Sequence, residues 1–178
     1  MLSEILRKQR RGKVGRSWYC DETYLKVRGR GVYLYRAIDR NGNLVEVLLS
    51  ERQDQAAAEA FFRSARAVTG SVPDRVTTDG HHSYPRAIRE SLGVDVIHRT
   101  NRYLNNRIEQ DHPGMKQRYY PMRGFGSFES AARFCPAADE VRHYFRYRKR
   151  MGETVRLAEQ RRVFRQRWDA LQAGLIAA

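Results

Sequence analysis

The acidic residue Glu109 lies in a polar segment that runs from Asn105 to Lys116. If this segment is helical, Lys116 follows Glu109 by about two turns and lies on nearly the same helix face. Pro113 would crowd the carbonyl group of Glu109, which predicts a kink or a break in the helix just after His112. A carboxylate and a lysine on one face are suited to holding a metal ion and a phosphate. A solvent-exposed helix with unrelated charges fits this segment equally well, so the rest of the chain has to distinguish the two.

Two further acids belong to strand-like segments. Asp21 and Glu22 lie within an aromatic and branched run, and neighbouring side chains of a strand point to opposite faces, so at least one of them is expected to face a polar site. Asp79 ends a short strand at an Asp-Gly turn, and taken alone it is explained better by turn chemistry than by ligand binding. Together, Asp21, Asp79 and Glu109 offer oxygen ligands suited to Mg²⁺ or Mn²⁺, and two such ions about 4 Å apart can promote a phosphodiester exchange.

The order of strands and helices predicts an α/β domain. The Asn41-Gly42 pair is typical of a tight antiparallel hairpin, and Asp54 and Gly70 are a plausible N-cap and C-terminal stop for the first long helix. The predicted strands cover 18–27, 32–39, 44–49, 74–80 and 94–98, and the predicted helices between them cover 54–70 and 83–92. This order predicts a mixed five-stranded sheet, with three antiparallel strands and then two further strands, flanked by helices.

Two more helices are predicted towards the C-terminus. Residues 129–150 are helical in composition, but Pro136 is expected to interrupt them. A last helix, from Thr154 to Leu171, carries an apolar stripe that is expected to pack against the domain or against a second subunit. The stripe consists of Leu157, Phe164, Trp168 and Leu171.

The composition favours a polyanionic partner. The chain has 34 Lys and Arg residues against 20 Asp and Glu residues, a net charge of +14, which favours nucleic acid over a membrane surface. Residues 1–16 are interpreted as a basic arm with little to bury, either flexible or in contact with phosphates, and 151–178 as an arginine-rich helix. Cys20 and Cys135 lack the spacing of a zinc site and are expected to be free thiols. No segment has the ~20 apolar residues of a membrane helix, so a soluble cytoplasmic protein is expected.

Several short words of the sequence, taken in order, resemble bacterial insertion-sequence transposases of the DDE type, and most closely those of insertion-sequence family six. They are Asp21-Glu22-Thr23-Tyr24, Tyr33-Leu34-Tyr35-Arg36-Ala37-Ile38-Asp39, Thr78-Asp79 and Tyr103-Leu104-Asn105-Asn106-Arg107-Ile108-Glu109-Gln110-Asp111-His112, followed by Lys116 and Gly124-Phe125. The resemblance runs from about Trp18 to Arg150. It is more specific than any isolated acid because the words recur in order.

This resemblance implies a ribonuclease H-like fold, a catalytic domain at 17–150, and a triad of Asp21, Asp79 and Glu109 that binds two Mg²⁺ or Mn²⁺ ions. It implies that water cleaves a phosphodiester at the end of the element, and that the freed 3′-hydroxyl then attacks target DNA without a covalent protein intermediate. DNA is therefore the implied partner, with a homo-oligomer assembled on it. The residues implied to contact DNA are Asn105, Asn106, Arg107, His112, Lys116 and Arg118.

Members of the family usually carry an N-terminal helix-turn-helix region, and here only the basic arm precedes the first strand. The chain is therefore interpreted as an N-terminally truncated or divergent copy of such a transposase. Two other functions stay open from the residues: another ribonuclease H-like nuclease that acts on structured nucleic acid, and a non-catalytic DNA-binding remnant that holds phosphates through its basic ends.

Overall fold

A computed structural model describes residues 2–101, 117, 121–147 and 154–176 of the chain. The described part contains a five-stranded sheet in the order β3-β2-β1-β4-β5. The first three strands pair as antiparallel hairpins, whereas β4 pairs in parallel with both β1 and β5. The strands are β1 (Ser17–Val27), β2 (Arg30–Asp39), β3 (Leu44–Ser50), β4 (Arg75–Thr78) and β5 (Ile97–Thr100). The predicted mixed sheet, with three antiparallel strands followed by two further strands, is confirmed.

Five helices are described around this sheet. Their bounds are α1 (Leu2–Lys8), α2 (Gln55–Thr69), α3 (Tyr84–Leu92), α4 (Phe128–Phe145) and α5 (Leu157–Ile176). The predicted caps of α2 are confirmed, because the Asp54 side chain accepts a hydrogen bond from the Ala57 N–H and Gly70 ends the helix in the left-handed conformation. The Asp54 carboxylate thus satisfies one of the backbone donors that a helix N-terminus leaves unpaired.

Each face of the sheet buries its own apolar cluster. Trp18 and Cys20 of β1 pack with side chains of α2 and α3, among them Phe61 and Tyr84. Leu25 and Val27, further along the same strand, belong to a second cluster that α4 and Phe125 complete on the other face. Because side chains alternate along a strand, β1 contributes to both layers. This two-sided burial holds the middle of β1, where Asp21 and Glu22 lie, in a fixed position.

The N-terminal segment differs from its prediction as a lead-in with little to bury. Leu2–Lys8 forms α1, and the Leu6 side chain is buried. Arg10 is also buried, where its guanidinium lies 2.7 Å from Glu140 Oε1 of α4 and donates to the Val45 carbonyl of β3. Arg7 donates to Glu46 of β3. The prediction was wrong because the acids that balance these charges are distant in the sequence.

Pro136 does not interrupt α4, contrary to the prediction. The helix continues through it from Phe128 to Phe145. Proline removes one backbone donor from the helix interior, but Ala131, Cys135 and Asp139 on the same helix are buried against the sheet. Tertiary packing therefore maintains the helix in spite of the lost hydrogen bond.

The fifth strand begins later than predicted. Residues 94–98 were expected to form it, whereas β5 spans Ile97–Thr100 and the Val94 side chain is 79% exposed. The Ile97 N–H donates to the Asp74 carbonyl, which sets the start of the pairing. Since β5 lies at the edge of the sheet, apolar residues do not mark its bounds.

Candidate active site

The pairing of β1 with β4 brings Asp21 and Asp79 together. Tyr19 of β1 lies opposite Thr77 of β4 in a parallel ladder. Both acids come two residues later, and β4 ends at Thr78, so Asp79 lies just beyond the strand while Asp21 still belongs to β1. Adjacent parallel strands bring the residues at their carboxyl ends to one edge of the sheet. The sheet topology thus joins two acids that are far apart in the sequence.

Glu22 completes a cluster of three carboxylates. One oxygen each from Asp21, Glu22 and Asp79 lies within 4.8 Å of the other two. Asp21 and Glu22 are half-buried and Asp79 is exposed, so the cluster opens towards solvent. Carboxylate oxygens at this spacing repel one another unless a cation lies between them. Oxygen-only ligands around a small open space fit a hard divalent cation such as Mg²⁺.

The backbone next to Asp21 supports its carboxylate. The Glu22 N–H donates to Asp21 Oδ1 at 2.9 Å. Across the other ladder Asp21 lies opposite Arg36 of β2, whose Nε donates to Asp139 of α4 at 2.7 Å. Asp139 therefore balances part of the positive charge beside Asp21.

Asp79 begins a tight turn whose hydrogen bonds fix its position. Its Oδ1 accepts from the His81 N–H at 3.0 Å. The preceding Thr78 hydroxyl accepts from the Gly80 N–H and lies 2.9 Å from His98 Nε2 of β5. Gly80 has a φ of +97°, a conformation that glycine adopts without steric cost. These hydrogen bonds and the glycine thus explain the turn, and the same turn directs the Asp79 side chain towards β1.

Two tyrosines near Glu22 belong to the apolar cluster between the sheet and the helices α2 and α3. Tyr35 lies opposite Glu22 in the β1–β2 ladder, and Tyr84 comes from α3. Both side chains are fully buried, and neither hydroxyl makes a hydrogen bond of good geometry with a described residue. Burial raises the pKa of Tyr84, and the Glu22 carboxylate raises it further. Burial also raises the pKa of Glu22, and the Asp79 carboxylate raises it further. The Tyr84 hydroxyl lowers the pKa of Glu22 and so opposes this rise.

The remaining predicted site residues lie outside the described part of the chain. Glu109, the third acid of the expected triad, is one of them, so its position relative to Asp21 and Asp79 stays a prediction. The others are Asn105, Asn106, Arg107, His112, Lys116 and Arg118. Glu22, in contrast, was not among the predicted site residues. The available signal was its position in the Asp21-Glu22 pair, but strand alternation directs Glu22 to the face opposite Asp21. Sequence alone does not show that β4 ends at Thr78, before it could separate Glu22 from Asp79.

A mainly basic groove lies along the parts of β1 and β4 that precede the carboxylate cluster, with Asp74 as an acidic lining residue. It is lined by backbone and side chains around Tyr19 and Thr77, which precede the two acids by two residues, and by four arginines. The arginines are Arg16, Arg40, Arg75 and Arg99.

Cys20 and Cys135 are buried free thiols, as predicted. Within the described ranges, no helix is both long and apolar enough to cross a membrane.

The sequence and fold of this chain are similar to those of known recombination proteins. Residues 15–148 match the family model DDE_Tnp_IS240, described as a DDE domain. The chain is 36% identical over 122 residues to the transposase for insertion sequence-like element IS431mec of Staphylococcus aureus strain N315, a match that covers 66% of this chain and 54% of the relative. It is equally similar to the transposase for insertion sequence element IS257 in transposon Tn4003 of Staphylococcus aureus. The chain thus spans about half the length of these relatives.

Solved structures share the fold at low sequence identity. The HTLV-2 integrase catalytic core domain in complex with magnesium, in its dimeric form, superimposes with a TM-score of 0.56 at 16% identity, covering 81% of this chain and 96% of that one. A simian T-cell lymphotropic virus intasome in complex with the PP2A regulatory subunit B56 gamma gives a TM-score of 0.58 at 19% identity, covering 75% of this chain and 50% of that one. The predicted ribonuclease H-like fold is confirmed.

Proposed function

The chain belongs to the DDE domain family of insertion-sequence transposases, and from this we propose that it cleaves DNA and transfers the cleaved strand during transposition. The observation that carries the proposal is the carboxylate cluster, in which Asp21 of β1 and Asp79 after β4 each place an oxygen within 4.8 Å of the other. The catalytic domain is proposed to span 17–150, between a basic N-terminal segment and the arginine-rich helix at 151–178.

Asp21 and Asp79 would hold divalent cations together with Glu109, which completes the proposed triad. When bound, Mg²⁺ or Mn²⁺ would favour deprotonation of the attacking oxygen and stabilise the charge on the leaving oxygen. The contribution of the chain itself is positioning. The Glu22 N–H orients the Asp21 carboxylate, and the turn at Gly80 holds Asp79. The reaction class is therefore phosphodiester cleavage by water, followed by attack of the freed 3′-hydroxyl on target DNA.

The charge distribution supports DNA as the substrate. The groove lined by four arginines includes Tyr19 and Thr77, two residues before the acids on β1 and β4. A phosphate backbone that follows the groove towards the ends of these strands would bring a phosphodiester to the cluster. Guanidinium groups bind phosphate oxygens through two parallel hydrogen bonds. Residues in the segment 105–118 are proposed to contact the DNA near the reacting end. The protein would act in the bacterial cytoplasm, as a homo-oligomer assembled on DNA.

A cleavage assay tests this function. The full chain is incubated with duplex DNA from the ends of its own element, or with random duplex, in Mg²⁺ or Mn²⁺. Asp79→Asn should lower the nicking rate by at least about a hundredfold, since loss of even an outer-shell partner of a metal ligand costs 10–100-fold. Asp95→Asn, at an exposed position between α3 and β5, is the matched control and should nick at the original rate.

The products separate the proposal from its alternatives. Joined strands, in addition to nicks, are expected of a transposase. Nicking of structured nucleic acid without any joining would favour a different ribonuclease H-like nuclease. DNA binding without nicking, in both the unchanged chain and Asp79→Asn, would contradict the catalytic proposal and favour a DNA-binding remnant.

A further inference from the structure

The position of Glu22 carries an inference beyond the expected triad. A side chain at this position of β1 should face α2 and α3, as those of Trp18 and Cys20 do. Its carboxylate nevertheless has an oxygen within 4.8 Å of oxygens of both Asp21 and Asp79. The closeness arises at the end of β4, since no described strand separates Glu22 from the turn that holds Asp79.

We propose that Glu22 is an additional carboxylate ligand of the metal centre, and that the buried Tyr84 hydroxyl is the positioning group that holds it. This inference rests on the proposed function, because the centre it extends is that of Asp21 and Asp79. Two oxygens bound to one Mg²⁺ at about 2.1 Å lie at most about 4.2 Å apart. The three oxygens lie within 4.8 Å of one another, so they need to close by no more than about 0.6 Å per pair to share one cation.

The tyrosines below the site provide an independent observation. Tyr84 and Tyr35 have no exposed surface, and neither hydroxyl has a hydrogen-bond partner of good geometry among the described residues. A buried hydroxyl without a partner costs free energy. The nearby Glu22 carboxylate adds to the raised pKa of both hydroxyls, and Gln53 Nε2 lies 3.5 Å from Glu22 Oε1. These groups can thus hold one oxygen of the Glu22 carboxylate while its other oxygen faces Asp21 and Asp79.

Glu22 therefore differs from an ordinary buried acid. A buried carboxylate kept only for structure is balanced by a cation, as Asp139 is by Arg36, or by several close hydrogen-bond donors, as Asp39 is. No such ion pair is found for Glu22 among the described residues, and its close charged neighbours are the acids Asp21 and Asp79. A bound cation would supply the missing positive charge. Removing Glu22 should weaken cation binding without weakening the fold.

The test is a titration of the full chain with Mn²⁺, in which free Mn²⁺ is measured by electron paramagnetic resonance. Glu22→Gln, which keeps the shape of the side chain, should bind Mn²⁺ about tenfold or more weakly. Tyr84→Phe should weaken binding by a smaller factor. Glu90→Gln, an exposed acid of α3 that pairs with Arg86, is the matched control and should bind as the unchanged chain does. Thermal unfolding without metal should show that Glu22→Gln is at least as stable as the control.

The outcomes distinguish this inference from the proposed function. Equal Mn²⁺ affinity in Glu22→Gln and Glu90→Gln, with weakened binding in Asp79→Asn, would overturn the role of Glu22 and leave the metal centre intact. If the unchanged chain and Asp79→Asn take up Mn²⁺ equally, the proposed centre itself fails, and the inference with it. If Glu22→Gln loses stability without metal, Glu22 is a structural residue and the inference is wrong.

Discussion

Arg36 and Asp139 form a buried ion pair between β2 and α4, directly beside the proposed catalytic strand. The Nε–Oδ2 distance is 2.7 Å, and the two side chains are 4% and 1% exposed. Two charges in such a place stabilise each other strongly, because removing either one leaves the other buried without its main counter-charge. Since Arg36 lies opposite Asp21, the pair also fixes the charge next to the candidate site.

Asp139→Asn should therefore lower the free energy of unfolding by about 3 kcal/mol, since it leaves the Arg36 charge buried without its acid. The measurement is urea unfolding followed by circular dichroism. Asp169→Asn, on the exposed side of α5, is the control and should change the free energy by less than about 0.5 kcal/mol. A loss no larger than the control's would mean that the pair with Asp139 does not stabilise the buried Arg36 guanidinium.

At the scale of the element, α4 shows how packing overrides a local signal. Pro136 lacks the N–H that the helix would use there, yet the helix continues to Phe145. Pro136 is only partly buried, and it is not among the side chains of the apolar cluster to which Ala131 and Cys135 belong. Pro136 therefore destabilises the folded state, and replacing it should raise the free energy of unfolding.

Pro136→Ala should raise the free energy of unfolding by about 2 kcal/mol, the balance between a restored helix hydrogen bond and a less restricted unfolded chain. Pro85→Ala is the matched comparison. Pro85 lies in the first turn of α3, where proline costs nothing, so the substitution should not stabilise. The midpoints of urea unfolding give both values, and a less stable Pro136→Ala would mean that the ring itself packs favourably.

The contact of Arg10, which follows α1, with Glu140 of α4 carries a pH dependence. Burial raises the pKa of Glu140 to about 7, although the Arg10 guanidinium opposes the rise. Below pH 4.5 the carboxyl is protonated in both the folded and unfolded chain. Between that pH and about 7 only the folded chain keeps the proton, so the free energy of unfolding decreases as the pH rises through this window.

Glu140→Gln should remove this dependence. The stability difference between the unchanged chain and the variant should fall by about 3 kcal/mol from pH 4.5 to pH 8, measured by urea unfolding at a series of pH values. The difference isolates Glu140 from other acids whose pKa is raised, such as Glu22. Parallel stability curves would show that the pair with Arg10 keeps Glu140 ionised throughout.

At the scale of the whole molecule, much of the architecture follows from the sequence. The sheet and its hairpins could be predicted from the alternation of side chains along the strands, the Asn41-Gly42 turn and the caps of α2, because these signals are local. The contact of Arg10 with Glu140 and the approach of Glu22 to Asp79 were not predictable. Both depend on where one element ends relative to another distant in the sequence, which no local pattern encodes.

The net charge of +14 also leads to a prediction for the whole molecule. Affinity for random duplex DNA should fall about a thousandfold or more between 50 and 200 mM salt, since phosphate contacts release counterions. Fluorescence anisotropy of a labelled duplex measures this. Asp79→Asn should show the same salt slope, because the basic surface is unchanged. Binding that does not depend on salt would contradict DNA contact through the arginines.

The early end of β4 has a consequence for solubility. Among the described residues, nothing pairs with β1 on that side between Tyr19 and Val27, where Phe125 forms an isolated bridge. An unpaired strand edge invites pairing with another chain, and charged side chains are a common protection against it. Asp21 and Glu22 lie on this edge. The same acids that would bind cations thus also discourage aggregation, and a variant that neutralises both should precipitate more readily than one that neutralises Asp79 alone.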